Sequence, residues 1–439
     1  MSRIVALAAF SICLLACGPK PRPIPDAGEE VDAGMEEVDA GRPRGDDPPN
    51  GWQVAVPLPM AAAPSTRFVS VTSIADQYGQ PMIAALYEDP NGDLNYDDNR
   101  VVFTRWNGVT RAFGELQTIE VVGGAKFEHP DRQISLSLDS STGRIGIAYA
   151  KPQTDSIRLA VSDDEGTNFS LSTVSASGAS LVSNPSLGLF GGNTFLAWSE
   201  GSELQYRKRV GAGAFTSESA GSITLGSRTV SLAVDSAGNP GVAFFVSVGG
   251  TSADLAFWRP GSAPVPVASA DMLDLTTAIE SRPSATLTFV GTTPHLAFHL
   301  RKVAPLPAAD DTTELWYAKA TDSGATWSTP IAIPRNGSAT VFHSTSWYQA
   351  IVIDASGRVN VAADFASKGA QTLCGGPKLA RSTDGVSFMT CAPMSSPVQF
   401  AGDWISMWSH RAGKETIVFS YDSRTNASLK GGIVMWREL

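Results

Sequence analysis

From Trp52 onward, apolar and polar residues alternate in short runs bounded by Gly, Asp and Asn. A period of two puts every second side chain on one face, the pattern of half-buried strands rather than of helices. The runs recur in a fixed order. The second run of each unit reads MIAALYE, IGIAYAK, TFLAWSE, PGVAFFV, PHLAFHL, VNVAADF and ETIVFSYD. The third reads RVVFTRW, SIRLAVS, ELQYRKR, DLAFWRP, ELWYAKA, PKLARST and GIVMWRE. A tight turn precedes each second run. Four of these turns start at Asp and finish at Gly: Asp76 with Gly79, Asp139 with Gly143, Asp235 with Gly238, and Asp354 with Gly357. Asp bonds its own backbone in such a turn, and Gly supplies positive φ. The remaining units carry glycine there, at Gly191-Gly192, Gly291 and Gly413.

Units of this kind, four strands each and roughly 45 to 64 residues apart, predict a β-propeller. Fourth strands are expected to start near Phe113, Phe169, Phe215, Val265, Trp327 and Phe388, whereas the seventh unit stops at Leu439 after its third strand. The segment WQVAVP at 52–57 stands alone before the first unit and reads as a strand. Paired with the last unit it would complete the seventh sheet and close the ring through both termini, hiding the open edges. The expected fold is therefore all-β: a seven-bladed β-propeller over residues 51–439, with six blades and an irregular unit as the alternative.

Three turns between third and fourth strands share a further motif: SDDEGTNF at 162–169, ATDSGATW at 320–327 and, one residue shorter, STDGVSF at 382–388. It resembles the Asp-box, S-x-D-x-G-x-T-W, of sialidase-like and related BNR-repeat propellers. The resemblance implies the propeller fold, and it implies that these turns lie on the face away from the active site. Asp164, Gly166, Asp322, Gly324, Trp327 and Asp384 are then structural. The carboxylate accepts turn N–H groups, the glycine takes a conformation other residues resist, and the aromatic packs between sheets. Activity is not implied, since this fold carries hydrolases, lectins and pure binding modules.

The N-terminus changes the picture of where the domain sits. Arg3 precedes an apolar stretch of about 13 residues, too short for a membrane span of about 20 but suited to a signal peptide. LLAC at 14–17 resembles the bacterial lipobox, with cleavage before Cys17 and lipid on its sulfur; an ordinary secretory signal is the competing reading. Gly18 rather than Asp after Cys17 resembles outer-membrane sorting, on either side of that membrane. Residues 1–16 are thus expected to be a signal peptide. Residues 17–50, rich in Pro, Gly, Asp and Glu, are expected to form a flexible tether that cannot offset its ordering entropy by burial. Such tethers resemble those of myxobacterial surface lipoproteins. The formal net charge of −10 argues against a nucleic-acid partner.

In a propeller, loops entering the first strands and leaving the second strands build the ligand face. Arg67, Arg132, Arg228, Arg282, His343, Trp347 and Trp404 precede or open first strands, while His299 and Asp364 lie toward the ends of second strands. Sialidases grip a carboxylate with three arginines and use a Tyr nucleophile with a Glu partner, and guanidinium pairing would suit such a ligand. The family's Arg-Ile-Pro signature is missing, however, and no Tyr/Glu pair stands out, so salt-bridged or solvated arginines are the competing reading. His295 and His299 share a sheet face, as metal ligands or general bases, or simply packed between blades.

In EDPNGDLNYDDN at 88–99, oxygen side chains fall at every second position: Asp89, Asn91, Asp93, Asn95 and Asp97. This resembles a calcium loop, although Leu94 stands where an EF-hand has glycine and Arg100 where it has glutamate. A solvated hairpin is the alternative, and calcium is the one cofactor suggested. Cys374 and Cys391 flank a hairpin and are expected to pair in an oxidising compartment, with a free thiol as the alternative. No zinc-type cysteine spacing and no G-x-S-x-G elbow is present. The expectation is a monomeric, membrane-anchored propeller that binds a glycan or protein without catalysis. The alternatives are a sialidase-like glycoside hydrolase and a scaffold of an envelope assembly.

Overall fold

The structure is a computed structural model. It describes residues 47–48, 51–58, 66–123, 133–176, 182–221, 223–249, 252–269, 284–302, 312–333, 349–365, 376–393, 405–409, 415–421 and 432–437. Seven antiparallel sheets follow one another along the chain, each a blade. The first three strands of blade 1 are Arg67–Ala75, Pro81–Glu88 and Arg100–Asn107, and those of blade 2 are Ile134–Asp139, Arg144–Lys151 and Ser156–Ser162. Blade 3 has Val182–Phe190, Asn193–Glu200 and Glu203–Arg209; blade 4 has Leu225–Val234, Pro240–Gly249 and Ser252–Trp258. Blade 5 has Ala285–Val290, Thr293–Lys302 and Thr312–Lys319; blade 6 has Gln349–Ile353, Val359–Phe365 and Gly376–Ser382. Blade 7 has Ile405–Ser409, Glu415–Tyr421 and Gly432–Arg437.

The seventh sheet is completed from the other end of the domain. Gly51–Pro57 pairs antiparallel with Gly432–Arg437, with Gln53 opposite Met435 and Val54 opposite Val434. The ring is seven-bladed and closed by the N-terminal strand, and the six-bladed alternative is dropped. Among the described residues the one helical element is a short 3-10 turn, Pro152–Thr154, and no helix is long and apolar enough to cross a membrane.

Fourth strands depart somewhat from expectation. In blade 1 the outer strand is split into Ala112–Phe113 and Gln117–Val121, both paired with the third strand. In blade 5 it is Ile331–Ala332, beyond the expected Trp327. Trp327 belongs to the preceding turn: its indole N–H donates to the Gly324 carbonyl at 3.1 Å, and its ring meets Phe257 of blade 4 edge-on.

The Asp turns form as their chemistry dictates. Asp76 Oδ1 accepts the N–H groups of Tyr78 and Gln80, both at 2.8 Å. Asp235 does the same for Ala237 and Asn239, and Asp354 for Ser356 and Arg358.

The hydrophobic core is not one mass but a series of seams between neighbouring blades. Phe245, Leu255 and Phe257 of blade 4 pack with Leu287, Leu296 and Phe298 of blade 5. Leu315 and Tyr317 of blade 5 pack with Ile351, Val361 and Phe388 of blade 6. Each such side chain contributes about 1.5–3 kcal/mol by leaving water. The innermost strands add a polar girdle, because their inner edges carry N–H groups without a sheet partner. A hydroxyl on one first strand accepts from the first strand of the next blade: Ser135 from Leu187, Ser186 from Leu232, and Ser231 from Leu287, at 2.8–3.1 Å. Ser73 bonds Ser406 across the closure seam.

Candidate functional site

Strand direction divides the propeller into two faces. First strands begin and second strands end on one, termed the ligand face after the expectation above; the Asp turns and the three motif turns lie on the other.

On the opposite face the motif turns act as clasps. Asp164 Oδ1 accepts the Asn168 N–H at 2.8 Å, and with the bonds from the Asn168 side chain and Ser162 this lowers its pKa to about 2. Asp384 is lowered likewise by the N–H groups of Ser387 and Val386. Asp322 accepts the Thr326 N–H and hydroxyl. Each turn docks on the preceding blade. Gly166 lies against Phe103 and Gly324 against Phe257, with Phe169 and Trp327 edge-on to the same rings at 5.3 Å. Two residues after each of those phenylalanines, an arginine donates to the turn: Arg105 to the Glu165 carbonyl and Arg259 to the Ser323 carbonyl, both at 2.8 Å. Tyr317 and Phe388 repeat the aromatic contact for the third turn at 5.5 Å. An aromatic-x-basic pair in the third run (Phe103-Thr104-Arg105, Phe257-Trp258-Arg259, Tyr317-Ala318-Lys319) was the signal in the sequence.

The ligand face is built differently. Three first strands carry a β-bulge near their ligand-face end: between Val69 and Thr72 in blade 1, between Ser183 and Ser186 in blade 3, and between Leu225 and Val230 in blade 4. Ser70 and Asn184, inside two of these bulges, have φ of 51° and 52°. Such conformations persist only where the surroundings hold them, and bulges re-aim side chains beside functional sites. Ser70 Oγ accepts the N–H of Gln133 at 2.6 Å, and Ser183 bonds Ser199 at 2.9 Å. Arg67 Nε donates to buried Glu88 at 2.6 Å, so this arginine is salt-bridged.

At the seam of blades 5 and 6, His299 is buried at the same level. Its Nδ1 lies 2.7 Å from Gln349 Oε1. The Gln349 amide nitrogen donates to the carbonyls of Ala297 and Ser284, which fixes Oε1 as the acceptor. The histidine is thus an Nδ1–H tautomer, and burial pushes its pKa down to about 4. His295 on the same strand is also pushed to about 4, by burial and then by Lys319, and bonds the Tyr317 hydroxyl at 2.7 Å. Both are neutral histidines packed between blades.

A Tyr/Glu pair that the sequence did not reveal joins blades 1 and 2. The Glu120 carboxylate accepts from the Tyr149 hydroxyl, from Lys151 Nζ at 2.7 Å and from Arg158 Nε at 3.1 Å. Burial and then Glu120 raise the Tyr149 pKa, which keeps this phenol a proton donor rather than a nucleophile. The pair joins the outer strand of blade 1 to the second strand of blade 2, and neither residue lies on a first strand of the ring.

The acidic loop at 88–99 folds back on itself. Carboxylate oxygens of Asp89, Asp93 and Asp98 lie within 4.8 Å of one another, and Asp97 is not among them. Asp89 Oδ1 accepts the Asp93 N–H at 3.0 Å, Asp98 Oδ2 the Asn91 N–H at 2.9 Å, and Asp93 Oδ1 the Asn95 N–H at 3.0 Å. Arg228 and Asp364 lie in the first strand of blade 4 and the second of blade 6, and Cys391 in the fourth strand of blade 6. Cys17, Arg132, Arg282, His343, Trp347, Cys374 and Trp404 fall outside the described residues.

No protein-family model matches the chain, and no curated protein sequence matches it. Solved structures do. The α-L-arabinofuranosidase Arb93A of Fusarium graminearum aligns with a TM-score of 0.50 and 10% identity, over 88% of this chain and 97% of its own. The BP39L lectin of Burkholderia pseudomallei aligns with a TM-score of 0.53 and 11% identity, over 81% of this chain and 94% of its own. The Hadza microbial sialidase Hz136 aligns at 0.46 and 11% identity, over 88% and 68%. The likeness is one of fold alone, that of a β-propeller.

Proposed function

We propose that the protein is an exported lipoprotein, held at the outer membrane through Cys17, whose propeller binds a glycan on the ligand face. One observation carries the reading. Bulged first strands and polar side chains (Ser70 with Gln133, Arg67 with buried Glu88, Ser183 with Asn184) gather at that face, while the motif-turn clasps lie on the opposite one. Rigid strands that present re-aimed polar groups suit hydroxyl-rich ligands. That an α-L-arabinofuranosidase and a lectin share the fold supports a carbohydrate ligand over a protein one.

The test is a glycan array probed with the mature, detergent-solubilised chain. Saturable binding to a restricted set of glycans is expected, weakened by Asn184→Ala, with the bound glycan recovered intact. Sugar released over time would establish a hydrolase instead. Recovery of an envelope protein with no glycan bound would establish a scaffold. Anchoring is tested separately: mass spectrometry should find acylated Cys17, and Cys17→Ser should move the chain from the membrane to the soluble fraction.

A further inference from the structure

Blade 3 makes its third-to-fourth strand turn without the carboxylate that the motif turns supply. Its third strand ends at Arg209 and its fourth begins at Thr216, the same interval as from Ser382 to Met389 in blade 6. Over that interval Arg209 stands where blade 6 has Ser382, Gly211 where it has Asp384, and Phe215 where it has Phe388. In blade 6 the Ser382 hydroxyl donates to Asp384 Oδ1, which also accepts the N–H groups of Val386 and Ser387. In blade 3 the aspartate is gone, and a cation replaces the hydroxyl. A Cβ at Gly211 would meet nothing within 4 Å, so the place of the missing side chain is open.

Arg209 is held in place but left uncompensated. Its guanidinium lies over the Phe215 ring, 4.9 Å from the centroid, and its one hydrogen bond among the described residues is a 3.5 Å contact from Nη2 to the Thr194 hydroxyl. Its Nε is buried with no acceptor. Arg144 reaches the same stretch from blade 2: Nη1 donates to the Gly192 carbonyl at 3.3 Å, while Nε donates to Asp163 at 2.6 Å. The two guanidiniums thus converge on residues 192–194 from the two sides of the seam. Burial and then the charge of Arg144 lower the Arg209 pKa. Asp163, the one carboxylate near them, is already paired with Arg144.

We infer that the seam between blades 2 and 3 carries an anion site on the face opposite the ligand face, in which one oxyanion, a phosphate or carboxylate group, bridges Arg209 and Arg144 where the motif turns carry their own aspartate. The span fits. Gly192 and Thr194 are about 7 Å apart along the chain, and an oxyanion with charge-assisted bonds of about 2.8 Å on either side bridges about 8 Å. The planar fork of arginine presents paired donors to two such oxygens. Binding there relieves the repulsion between the two guanidiniums and ties blade 2 to blade 3, as a motif turn ties blade 2 to blade 1. Neither the lipid anchor nor the glycan reading is needed for it.

The experiment titrates the full chain with inorganic phosphate, and separately with glucuronate as a sugar carboxylate, by calorimetry at fixed ionic strength in chloride. Saturable binding with a Kd at or below about 1 mM is expected. It should weaken at least about tenfold in Arg209→Gln, which loses a charge-assisted contact. Phosphate should raise the urea midpoint of the parent chain and leave that of Arg209→Gln unchanged. Gly211→Asp puts a carboxylate at the open position, at a φ of +54° that aspartate tolerates; it should abolish the response to phosphate. Binding of phosphate alone assigns the site to phosphate groups, and binding of glucuronate alone to carboxylates. Absence of saturable binding by either probe, or binding undiminished in both Arg209→Gln and Gly211→Asp, would overturn the site. A loss of stability in Arg209→Gln with phosphate binding intact would likewise overturn it and leave Arg209 a packing residue.

Discussion

Replacing Gly166 by alanine isolates what a motif turn does for the seam beneath it. Gly166 has φ of +84°, and a Cβ built there would lie 2.6 Å from Cε1 and 3.0 Å from Cζ of Phe103. Phe103 has nowhere to go, being 2% exposed and edge-on to Phe169 at 5.3 Å. Two costs combine: about 1–3 kcal/mol for a left-handed backbone at a residue with Cβ, and about 1–3 kcal/mol for overpacking. Gly261, in the corresponding turn of blade 4, separates them. Its φ is +85°, but nothing lies within 4 Å of its Cβ position. Gly261→Ala therefore carries the backbone cost alone, and Gly166→Ala should be less stable than it by about 1–3 kcal/mol. Urea titration followed by tryptophan fluorescence, at equal m-values, reads the difference. Phe103→Leu in the Gly166→Ala background should return part of the loss, with a coupling of at least about 0.5 kcal/mol. Equal midpoints for the two alanine variants, or strict additivity with Phe103→Leu, would refute the clasp.

Three further expectations concern the seams. Burial raises the Glu120 pKa, but the bonds from Lys151, Tyr149 and Arg158 outweigh it, so the folded value lies below the ordinary 4.5. Its contribution is present above 4.5 and lost as pH falls through the folded value. Glu120→Gln should cost about 1–3 kcal/mol at pH 7 and flatten the acid limb of a stability–pH curve. His295 and His299 move from 6.5 to about 4, so between those values the unfolded chain binds protons the native chain does not. Stability is full above about 6.5 and falls toward pH 4 by up to about 3 kcal/mol per histidine; a His295→Gln/His299→Gln chain with an unchanged slope would contradict this. Ser231→Ala removes the acceptor of the Leu287 N–H and should cost about 1–3 kcal/mol, read as earlier amide exchange at Leu287.

Architecture was legible because each blade repeats one local pattern. The runs, the Asp turns and the lone strand at 52–57 all depend on residues close in sequence, and the last found its partner by elimination. The outermost strands were less legible. Thr216–Ser217 and Ile331–Ala332 are two residues long and carry no periodicity to read. The ligand face was legible only as a set of loops. Arg67 could be placed there, but its partner Glu88 is set by strand register across a bulge. Counting alternate oxygens selected Asp97. Positive φ at Asp89, Leu94 and Tyr96 breaks that alternation and brings Asp98 inward instead. Glu120 and Tyr149 belong to different blades, so no spacing within either run could announce them.

The seams are chemically unequal although the blades are alike. Motif turns clasp blade 2 to blade 1, blade 5 to blade 4 and blade 6 to blade 5. Between blades 2 and 3 the same position is held by Arg144, which bonds Asp163 at 2.6 Å and the Gly192 carbonyl at 3.3 Å. Between blades 3 and 4 the ring of Phe190 covers Gly238. A repeat protein needs only that each unit hold its neighbour, so any device of adequate strength can occupy a seam. All of these devices sit on the face opposite the ligand face. The ligand face carries inter-blade bonds of its own, from Ser70 to Gln133 and from Gln349 to His299 and Ser284, but none of the motif-turn clasps. Its bulges and buried polar groups, which weaken regular pairing locally, are tolerated because the blades are secured from the other side.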